Sequence, residues 1–503
     1  MAETKREIER KYEAPEAGES FVLPDLSNVS GVEAVVDRGV VDLDAVYYDT
    51  LDQRLAAASI TLRRRTGGGD EGWHLKLPVS LAEGVRDEIR APLSDDVPRE
   101  LTGLVRSRVR ETGLVPLMRL RSSRDVRELT DADGALLAEV SVDGVRAERL
   151  TDGGGSAAWT EIEVELADDG DPAFLGKVEK KLRKAGASRS AAPSKLARAL
   201  DETGTALRPP QAPGDPETPA DHVLAYIRTQ RDAIVELDPA VRRDLPDAVH
   251  QMRVATRRLR GALRSYRKIL DRAVTRPIGV ELKWLAAELG VDRDQEVLTE
   301  RLTADLDALP RELSTGPVHT RLRTWSRARR SGSRRHLIAV LDGRRYLTLL
   351  GTLDALVEAP PLRKKQPEKA LTKAVRHDYR RLAEHVEEAL AKDPGTDRDV
   401  SLHEARKAAK RARYAAELAV PALGDPAKAV AKHAKALQTL LGEHQDSVMA
   451  REALHDLAAQ AYEAGESAFT YGLLYGREEA RATAAEDELP PLWAKAVSWS
   501  RYA

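Results

Sequence analysis

The amino-acid sequence predicts a multidomain α+β protein in which a strand-rich N-terminal region precedes an all-α helical bundle. Three observations support this prediction. Up to about residue 200, short runs alternate in side-chain character with a period of two, as β-strands do. A stretch rich in proline, glycine and polar residues follows. Beyond it, long segments rich in Ala, Leu, Arg and Glu have helical spacing.

The 503 residues exceed the usual size of a single domain. We therefore predict a strand-rich domain over 1–203, a linker over 204–219 and a helical domain over 220–503. Within the first domain, helices are expected near Val97–Thr112 and Ala173–Lys184. Within the helical domain, breaks are expected at Arg276-Pro277, Gly290, Pro360-Pro361 and Pro394-Gly395.

The composition narrows the classes of function. The chain has no cysteine, which excludes disulfides, thiolate catalysis and zinc–thiolate sites and fits a reducing compartment. Its N-terminus is charged where a signal peptide would be apolar, and no stretch is long and apolar enough to cross a bilayer. A cytoplasmic protein without a membrane partner is expected. The 80 basic and 82 acidic residues give a net charge of −2, so an anion site must come from local placement of charge.

Charged residues alternate along many of the predicted strands. In the first strand, Glu7, Glu9 and Lys11 fall on one face. The other same-face sets are Arg63 with Arg65, His74 with Lys76, Arg86 with Glu88 and Arg90, Arg119 with Arg121, and Glu161 with Glu163 and Glu165. One such face alone is usually the solvated side of a sheet. Together, however, carboxylate strands bracket several cationic strands. If the sheet closes, a polyanion and divalent metal ions would offset the otherwise unfavourable burial of these charges.

These residues resemble the CYTH family, the triphosphate tunnel metalloenzymes. The likeness covers residues 1–200 and includes Glu7-x-Glu9-x-Lys11, Tyr47-Tyr48-Asp49-Thr50 and Ser194-Lys195. It implies a closed antiparallel β-tunnel barrel with flanking helices that binds triphosphate with Mg²⁺ or Mn²⁺. The implied metal ligands are Glu7, Glu9, Glu161 and Glu163, which with Lys11 would form the catalytic set. The implied triphosphate-binding residues are Lys11, Arg63, Arg65, Lys76, Arg86, Arg119, Arg121 and Lys195.

The helical half contains an internal repeat. His250 and His403 are each followed by basic residues at positions +3, +7, +8 and +10. Downstream, Gly290 and Asp294 parallel Gly442 and Asp446 at nearly the same offsets. Two copies of one helical unit, packed as pseudo-symmetric halves, are therefore predicted.

Each copy places basic residues along one stripe of a helix. The stripes comprise His250, Arg253, Arg257, Arg260 and Arg264 in the first copy, and His403, Arg406, Lys407, Lys410 and Arg413 in the second. A charged stripe is most often a solvated helix face, but such a face usually mixes signs. Like charges four residues apart repel, by a few tenths of a kcal/mol per pair. The nearly uniform sign indicates that a polyanion offsets this repulsion.

Residues 220–503 resemble the CHAD family, named for its conserved histidines on α-helices. The resemblance implies a helical bundle with an internal two-fold repeat whose basic surface or pore binds inorganic polyphosphate. The basic clusters at 321–335, 363–365 and 376–381 would extend that surface.

The two resemblances together predict a metal-dependent tripolyphosphate or polyphosphate hydrolase whose helical domain recruits it to polyphosphate, including association with polyphosphate granules. One alternative is a polyphosphate-binding adaptor without turnover. Another is hydrolysis or cyclisation of a nucleoside or thiamine triphosphate. Nucleic-acid binding is disfavoured because aromatic residues make up only 4% of the chain and the net charge is slightly negative.

Overall fold

The structure is a computed structural model that describes residues 3–14, 21–79, 84–151, 153–204, 214–364, 367 and 369–500. The side chains of Glu3 and of residues 291–293, 329–331 and 496–500 lie outside this description. Most of the predicted linker, Lys365 and part of the 321–335 cluster therefore also lie outside it. The chain divides into two compact units, Met1–Ala212 and Pro213–Ala503, which are described in turn.

The first unit contains a closed antiparallel barrel. Its strands are β1 (Glu3–Glu13), β2 (Ala34–Asp49), β3 (Thr61–Thr66), β4 (Gly72–Pro78), β5 (Val85–Ala91), β6 (Val115–Thr130), β7 (Leu136–Arg149), β8 (Ser156–Leu166) and the short β9 (Ser188–Arg189). The sheet runs β5-β4-β3-β2-β6-β7-β8-β1, and β1 also pairs with β5, which closes eight strands into a barrel. Strand β9 adds to the end of β1. The predicted barrel is confirmed.

The outer face of the barrel is apolar where helices cover it. Helix α1 (Arg99–Val109) packs on Trp73, Leu75 and Ile89, and α2 (Ala173–Lys184) packs on Ile162 and Val164. Each of these side chains contributes roughly 1.5–3 kcal/mol by leaving water. Because side chains alternate across a strand, the charged residues between them point into the barrel.

Helix α3 (Lys195–Glu202) lies across one end of the barrel interior. Ser194 caps it by accepting a hydrogen bond from the backbone N–H of Ala197. Its apolar residues Leu196 and Leu200 pack against the inward-facing ends of β6, β7 and β8. This packing carries Lys195, the first residue of the helix, into the barrel.

The second unit is all-helical. Its helices are α4 (Pro219–Arg242), α5 (Ala248–Ser265), α6 (Arg272–Asp307), α7 (Val318–Asp342), α8 (Arg344–Glu358), α9 (Ala370–Leu390), α10 (Thr396–Leu423), α11 (Asp425–Glu463) and α12 (Phe469–Ser500). The helices end near Pro360-Pro361 and Pro394-Gly395, as predicted, but the predicted breaks at Pro277 and Gly290 are wrong. Both residues lie within α6. Among the described residues, no helix combines the length and hydropathy needed to span a bilayer.

The two halves of the helical unit repeat the same contacts. Helix α5 packs between α4 and α6, and α10 packs between α9 and α11. The buried faces carry Met252, Ala255 and Leu259 in α5 and Ala405, Ala408 and Ala412 in α10, at equivalent positions. Arg253 Nη1 lies 2.7 Å from Asp294 Oδ1, and Arg406 Nη2 lies 3.7 Å from Asp446 Oδ1. The sequence repeat is therefore also a structural repeat.

Gly290 has a local reason to sit within a helix. A Cβ atom built on it would lie 2.8 Å from Nη2 of Arg253, whereas one built on Gly442 would lie 3.7 Å from Arg406. The missing side chain lets the Arg253 guanidinium pass close to α6.

Candidate functional site

The barrel encloses a cavity of about 300 Å³ lined mainly by charged side chains. The cationic lining residues are Lys5, Lys11, Arg63, Arg65, Lys76, Arg86, Arg90, Arg124 and Lys195. The lining carboxylates are Glu7, Glu9, Asp70, Glu88, Glu139, Glu163 and Glu165. Strand pairing sets these groups opposite each other, with Glu7 facing Arg86, Lys11 facing Glu163 and Lys76 facing Glu88. The interior is thus a buried array of paired charges.

Close ion pairs hold the carboxylates of β1. Lys76 Nζ lies 2.5 Å from Glu7 Oε2, and Lys11 contacts both Glu163 and, at 3.3 Å, Glu9. Burial raises the pKa of Glu7 against the opposing effect of Lys76. For Glu9, burial acts in the same direction, but Lys11 and Lys76 outweigh it and hold the pKa below its usual range. Burial also lowers the pKa of Lys11 to about 8, although Glu9 opposes this shift. Neighbouring carboxylates thus differ in how readily they take up a proton.

Asp143, Glu161 and Glu163 form a buried carboxylate cluster whose oxygens lie within 4.8 Å of one another. Lys195 Nζ contacts all three, at 2.9, 2.8 and 2.7 Å respectively. Arg124 donates to both Asp143 and Glu163. Glu161 Oε1 nevertheless accepts no hydrogen bond of normal geometry from the described residues. Such a set of oxygen donors fits a hard divalent cation, so these acidic residues could bind one.

Most of the residues predicted for the barrel site meet there. Glu7, Glu9, Lys11, Arg63, Arg65, Lys76, Arg86, Glu163 and Lys195 line the cavity. Glu161 joins them through its contact with Lys195. Glu7 and Glu9 are held by lysines, whereas Glu161 and Glu163 are grouped with Asp143, which the prediction did not include.

Arg119 and Arg121 are the exceptions, since both lie outside the cavity. They pair in register with Val46 and Asp44 of β2, and Arg119 Nη2 lies 2.5 Å from Asp44 Oδ2. Both guanidinium groups are more than one-third exposed. Arg124, three residues further along β6, is on the inward face instead. The expectation that Arg119 and Arg121 point into the barrel is therefore wrong, and Arg124 takes that place.

Two residues that the prediction missed carried a sequence signal. Glu139, Ser141 and Asp143 alternate along β7 just as Glu161, Glu163 and Glu165 alternate along β8. The strands pair so that Asp143 faces Glu161 and Glu139 faces Glu165. The same alternation therefore marked both Asp143 and Glu139 as inward-facing.

The helical unit contains a second charged cavity, of about 540 Å³, between its two halves. The predicted residues that line it are His250, Arg253, Arg257, His403, Arg406, Lys407, Lys410 and Arg413. Arg301 also lines it, although the sequence repeat gave no signal for it, and Asp294 and Asp446 are its carboxylates. Burial and the neighbouring Arg257, Arg406 and Arg253 lower the pKa of Lys410 to about 6. The cavity thus holds more cations than carboxylates, although Arg253, Lys407 and Arg413 are each paired with a carboxylate.

Arg260 and Arg264, also predicted for this stripe, are not among the residues that line the cavity. Helix α10 contacts α5 beyond Arg257, where a Cβ atom on Gly261 would lie 3.6 Å from the Tyr414 side chain. Beyond this contact, Arg264 of α5 lies near Arg411 of α10. Burial and Arg264 lower the pKa of Arg411 to about 10. Arg260 and Arg264 therefore belong to the predicted stripe but lie beyond the cavity.

The fold and the two charged cavities define a class of protein: a closed, charge-lined antiparallel barrel joined in one chain to a helical bundle with a cationic cavity. Family models agree, since a CYTH domain matches residues 5–200 and a CHAD domain matches residues 225–455. Two uncharacterized Mycobacterium tuberculosis proteins, from strains CDC 1551 and H37Rv, are each 41% identical over 502 residues. The match covers 96% of this chain and 94% of each relative. The chain belongs to the family in which a CYTH domain is followed by a CHAD domain, as the sequence predicted.

Solved structures resemble parts of the chain. PptA from Streptomyces chartreusis is 20% identical with a TM-score of 0.48, over 55% of this chain and 100% of that one. The CHAD domain from the plant Ricinus communis is 26% identical with a TM-score of 0.45, over 55% of this chain and 91% of that one.

Proposed function

We propose that this protein is a divalent-metal-dependent hydrolase of inorganic tripolyphosphate or polyphosphate, and that its helical unit binds polyphosphate. The observation that carries the catalytic part is the cluster of Asp143, Glu161 and Glu163 beside a cavity that nine lysines and arginines also line. Carboxylate oxygens that can bind a metal and N–H groups that can donate to phosphate therefore lie within one enclosed space. Membership of the CYTH family supports an enzyme.

Phosphate binding in the barrel would use cations that are not fully committed to carboxylates. Arg63 Nη1 is 3.4 Å from the Tyr47 hydroxyl and its Nη2 is 3.7 Å from Glu88, whereas its Nε has no hydrogen-bond partner among the described residues. A guanidinium with free donors suits a phosphate oxygen pair. Lys76 and Lys11, although each is paired with a glutamate, would neutralise further phosphate charge.

Hydrolysis needs a proton acceptor beside the bound chain and stabilisation of the charge that develops on it. Glu7 is a candidate acceptor because burial raises its pKa, and a base is most effective when its pKa is near the working pH. Asp143, Glu161 and Glu163 would hold Mg²⁺ or Mn²⁺, which when bound supplies charge stabilisation and a more acidic water. The lining lysines and arginines would hold the phosphate oxygens in place during the reaction.

The test is phosphate release from tripolyphosphate by the purified full chain with Mg²⁺, Mn²⁺ or EDTA. We expect release that requires a metal and falls at least about 100-fold in a Glu161→Gln variant. Arg119→Ala, which changes a charge outside the barrel, is the matched control. Folded protein without release under any metal condition would overturn the hydrolase.

A non-catalytic adaptor is the second candidate, and one contact favours it. Lys195 Nζ already lies within 2.9 Å of all three clustered carboxylates, so a protein cation balances them without a metal. Tripolyphosphate binding without turnover would establish this alternative. Organic triphosphates gain less support, because Tyr47 is the only aromatic residue among those lining the described cavity.

The helical cavity supports polyphosphate as its ligand through its excess of cations over the two carboxylates Asp294 and Asp446. A flexible polyanion could contact equivalent groups from both halves at once. Absence of cysteine is compatible with the cytoplasm, which we propose as the location, with polyphosphate granules as a place of association.

Polyphosphate binding is expected to take up a proton at Lys410. Its pKa of about 6 in the free protein leaves it mostly neutral at pH 7.5, and a bound anion would raise that pKa. Affinity should therefore fall as pH rises from 6 toward 8. Calorimetry at pH 7.5 in two buffers with different ionisation enthalpies would measure the uptake. The Lys410→Arg variant stays positively charged without titrating. Its polyphosphate binding should therefore take up fewer protons than that of the parent, by up to one. Equal uptake in both proteins would contradict this assignment.

A further inference from the structure

Three helices of the second unit bring a histidine and two carboxylates together away from the cationic cavity. His444 on α11 is buried, whereas Asp399 near the start of α10 and Glu486 on α12 are partly exposed. His444 Nε2 lies 3.2 Å from Asp399 Oδ1 and 3.3 Å from Glu486 Oε1. One ligand atom from each residue falls within a 4.8 Å group.

Both carboxylates approach the same ring nitrogen, and a hydrogen bond between Nε2 and Glu486 Oε1 leaves Asp399 Oδ1 as a second oxygen at 3.2 Å from it. An imidazole nitrogen carries at most one proton, so one N–H would have to serve two acceptors. The distances instead match those between neighbouring ligand atoms around one metal ion. Zinc bonds of roughly 2.0–2.1 Å at tetrahedral angles separate their ligand atoms by about 3.3 Å.

The surroundings suit a bound cation. Arg398 Nε lies 3.1 Å from Glu486 Oε2, the oxygen that does not face the histidine. This ion pair leaves Glu486 Oε1 as the oxygen that approaches the histidine, although Arg398 Nε makes no hydrogen bond of normal geometry within the described residues. The partial exposure of Asp399 and Glu486 leaves an entry path from solvent and a place for a water ligand.

We propose that Asp399, His444 and Glu486 form a structural site for a divalent transition-metal ion, with Zn²⁺ as the best match to one imidazole and two carboxylates. The ion joins α10, α11 and α12 at one point. Its binding stabilises the folded helical unit, because the unfolded chain does not hold these three ligands together.

The test uses the full chain in a Glu161→Gln/Glu163→Gln background, which leaves Asp143 as the one carboxylate of the barrel cluster. After chelator treatment, Zn²⁺ titration by calorimetry should give one site per chain and raise the Tm by several degrees. Co²⁺ in place of Zn²⁺ should give the visible absorption of a four-coordinate site with a nitrogen ligand. His444→Gln and Glu486→Gln should each weaken Zn²⁺ binding at least tenfold and remove the absorption.

His455→Gln, an exposed histidine on the same helix, is the matched control and should bind Zn²⁺ like the parent. Glu486→Gln retains the histidine, so it tests the site even if His444→Gln does not fold. Absence of a Zn²⁺ site in the folded parent would overturn the proposal, as would unchanged Zn²⁺ affinity in folded Glu486→Gln. The three residues would then be an ion-pair network.

Discussion

Replacing Arg63 with alanine is expected to lower kcat/KM for tripolyphosphate hydrolysis by about 100-fold. The side chain is 15% exposed, faces the barrel cavity and has donors that its own neighbours do not use. Losing a paired, charge-assisted contact to phosphate in such a site costs about 2–3 kcal/mol. At 1.36 kcal/mol per tenfold change, this corresponds to a loss of about 30- to 160-fold. Steady-state phosphate release and calorimetric tripolyphosphate binding would measure the change.

Arg119→Ala supplies the matched comparison for Arg63→Ala. It removes the same charge from a strand next to β2, but from a guanidinium that pairs with Asp44 outside the cavity. We expect its activity within about threefold of the parent, as is usual for an exposed ion pair that contacts no substrate. Similar losses in the two variants would mean that long-range charge, rather than contact inside the barrel, governs the reaction.

The double variant Arg253→Ala/Arg406→Ala is expected to bind long-chain polyphosphate at least about 100-fold more weakly than the parent. These residues occupy equivalent positions in the two halves and both line the helical cavity. Their loss should also flatten the salt dependence of binding, because fewer cations are released from the polyanion on association. Fluorescence anisotropy with labelled polyphosphate across several salt concentrations would measure both effects. An Arg63→Ala background would reduce any contribution from the barrel.

Arg260→Ala/Arg264→Ala is the control for the helical cavity. It removes two arginines from the same helix, α5, beyond the contact between Gly261 and Tyr414 where the cavity ends. We expect its affinity for polyphosphate within about threefold of the parent. A loss as large as that of Arg253→Ala/Arg406→Ala would extend the binding surface along the whole helix.

The barrel could be predicted from sequence where one face of a strand carries the charges and the other carries apolar residues. Glu161, Glu163 and Glu165 are of this kind, with Ile162 and Val164 between them. Strand β6 is different, because alternation places Arg119 and Arg121 on one face of the strand and Arg124 on the other. In such a strand, the charges alone do not tell which face lies inside the barrel. The pairing with β2 decides it, and that pairing contains two register shifts.

The helical cavity shows a different limit of sequence analysis. Spacing of three and four residues placed Arg253, Arg257, Arg260 and Arg264 on one stripe, of which Arg253 and Arg257 line the cavity and the other two do not. Helical periodicity fixes the direction in which a side chain points around the helix axis. It contains no information on where a neighbouring helix lies, and here α10 ends the cavity at Gly261. Gly290 was similarly taken for a helix break, although its role is to admit the guanidinium of Arg253.

The repeated halves of the helical unit have a consequence for directionality. A linear phosphate chain has the same chemical structure from either end, whereas a nucleic-acid strand or a peptide does not. A cavity that offers His250 and Arg253 on one side and His403 and Arg406 on the other presents nearly the same contacts to a chain entering in either sense. Such a cavity has little means of enforcing polarity on a ligand, and a polymer without polarity loses nothing by this. If polyphosphate is the ligand, as proposed, binding can begin at either of its ends.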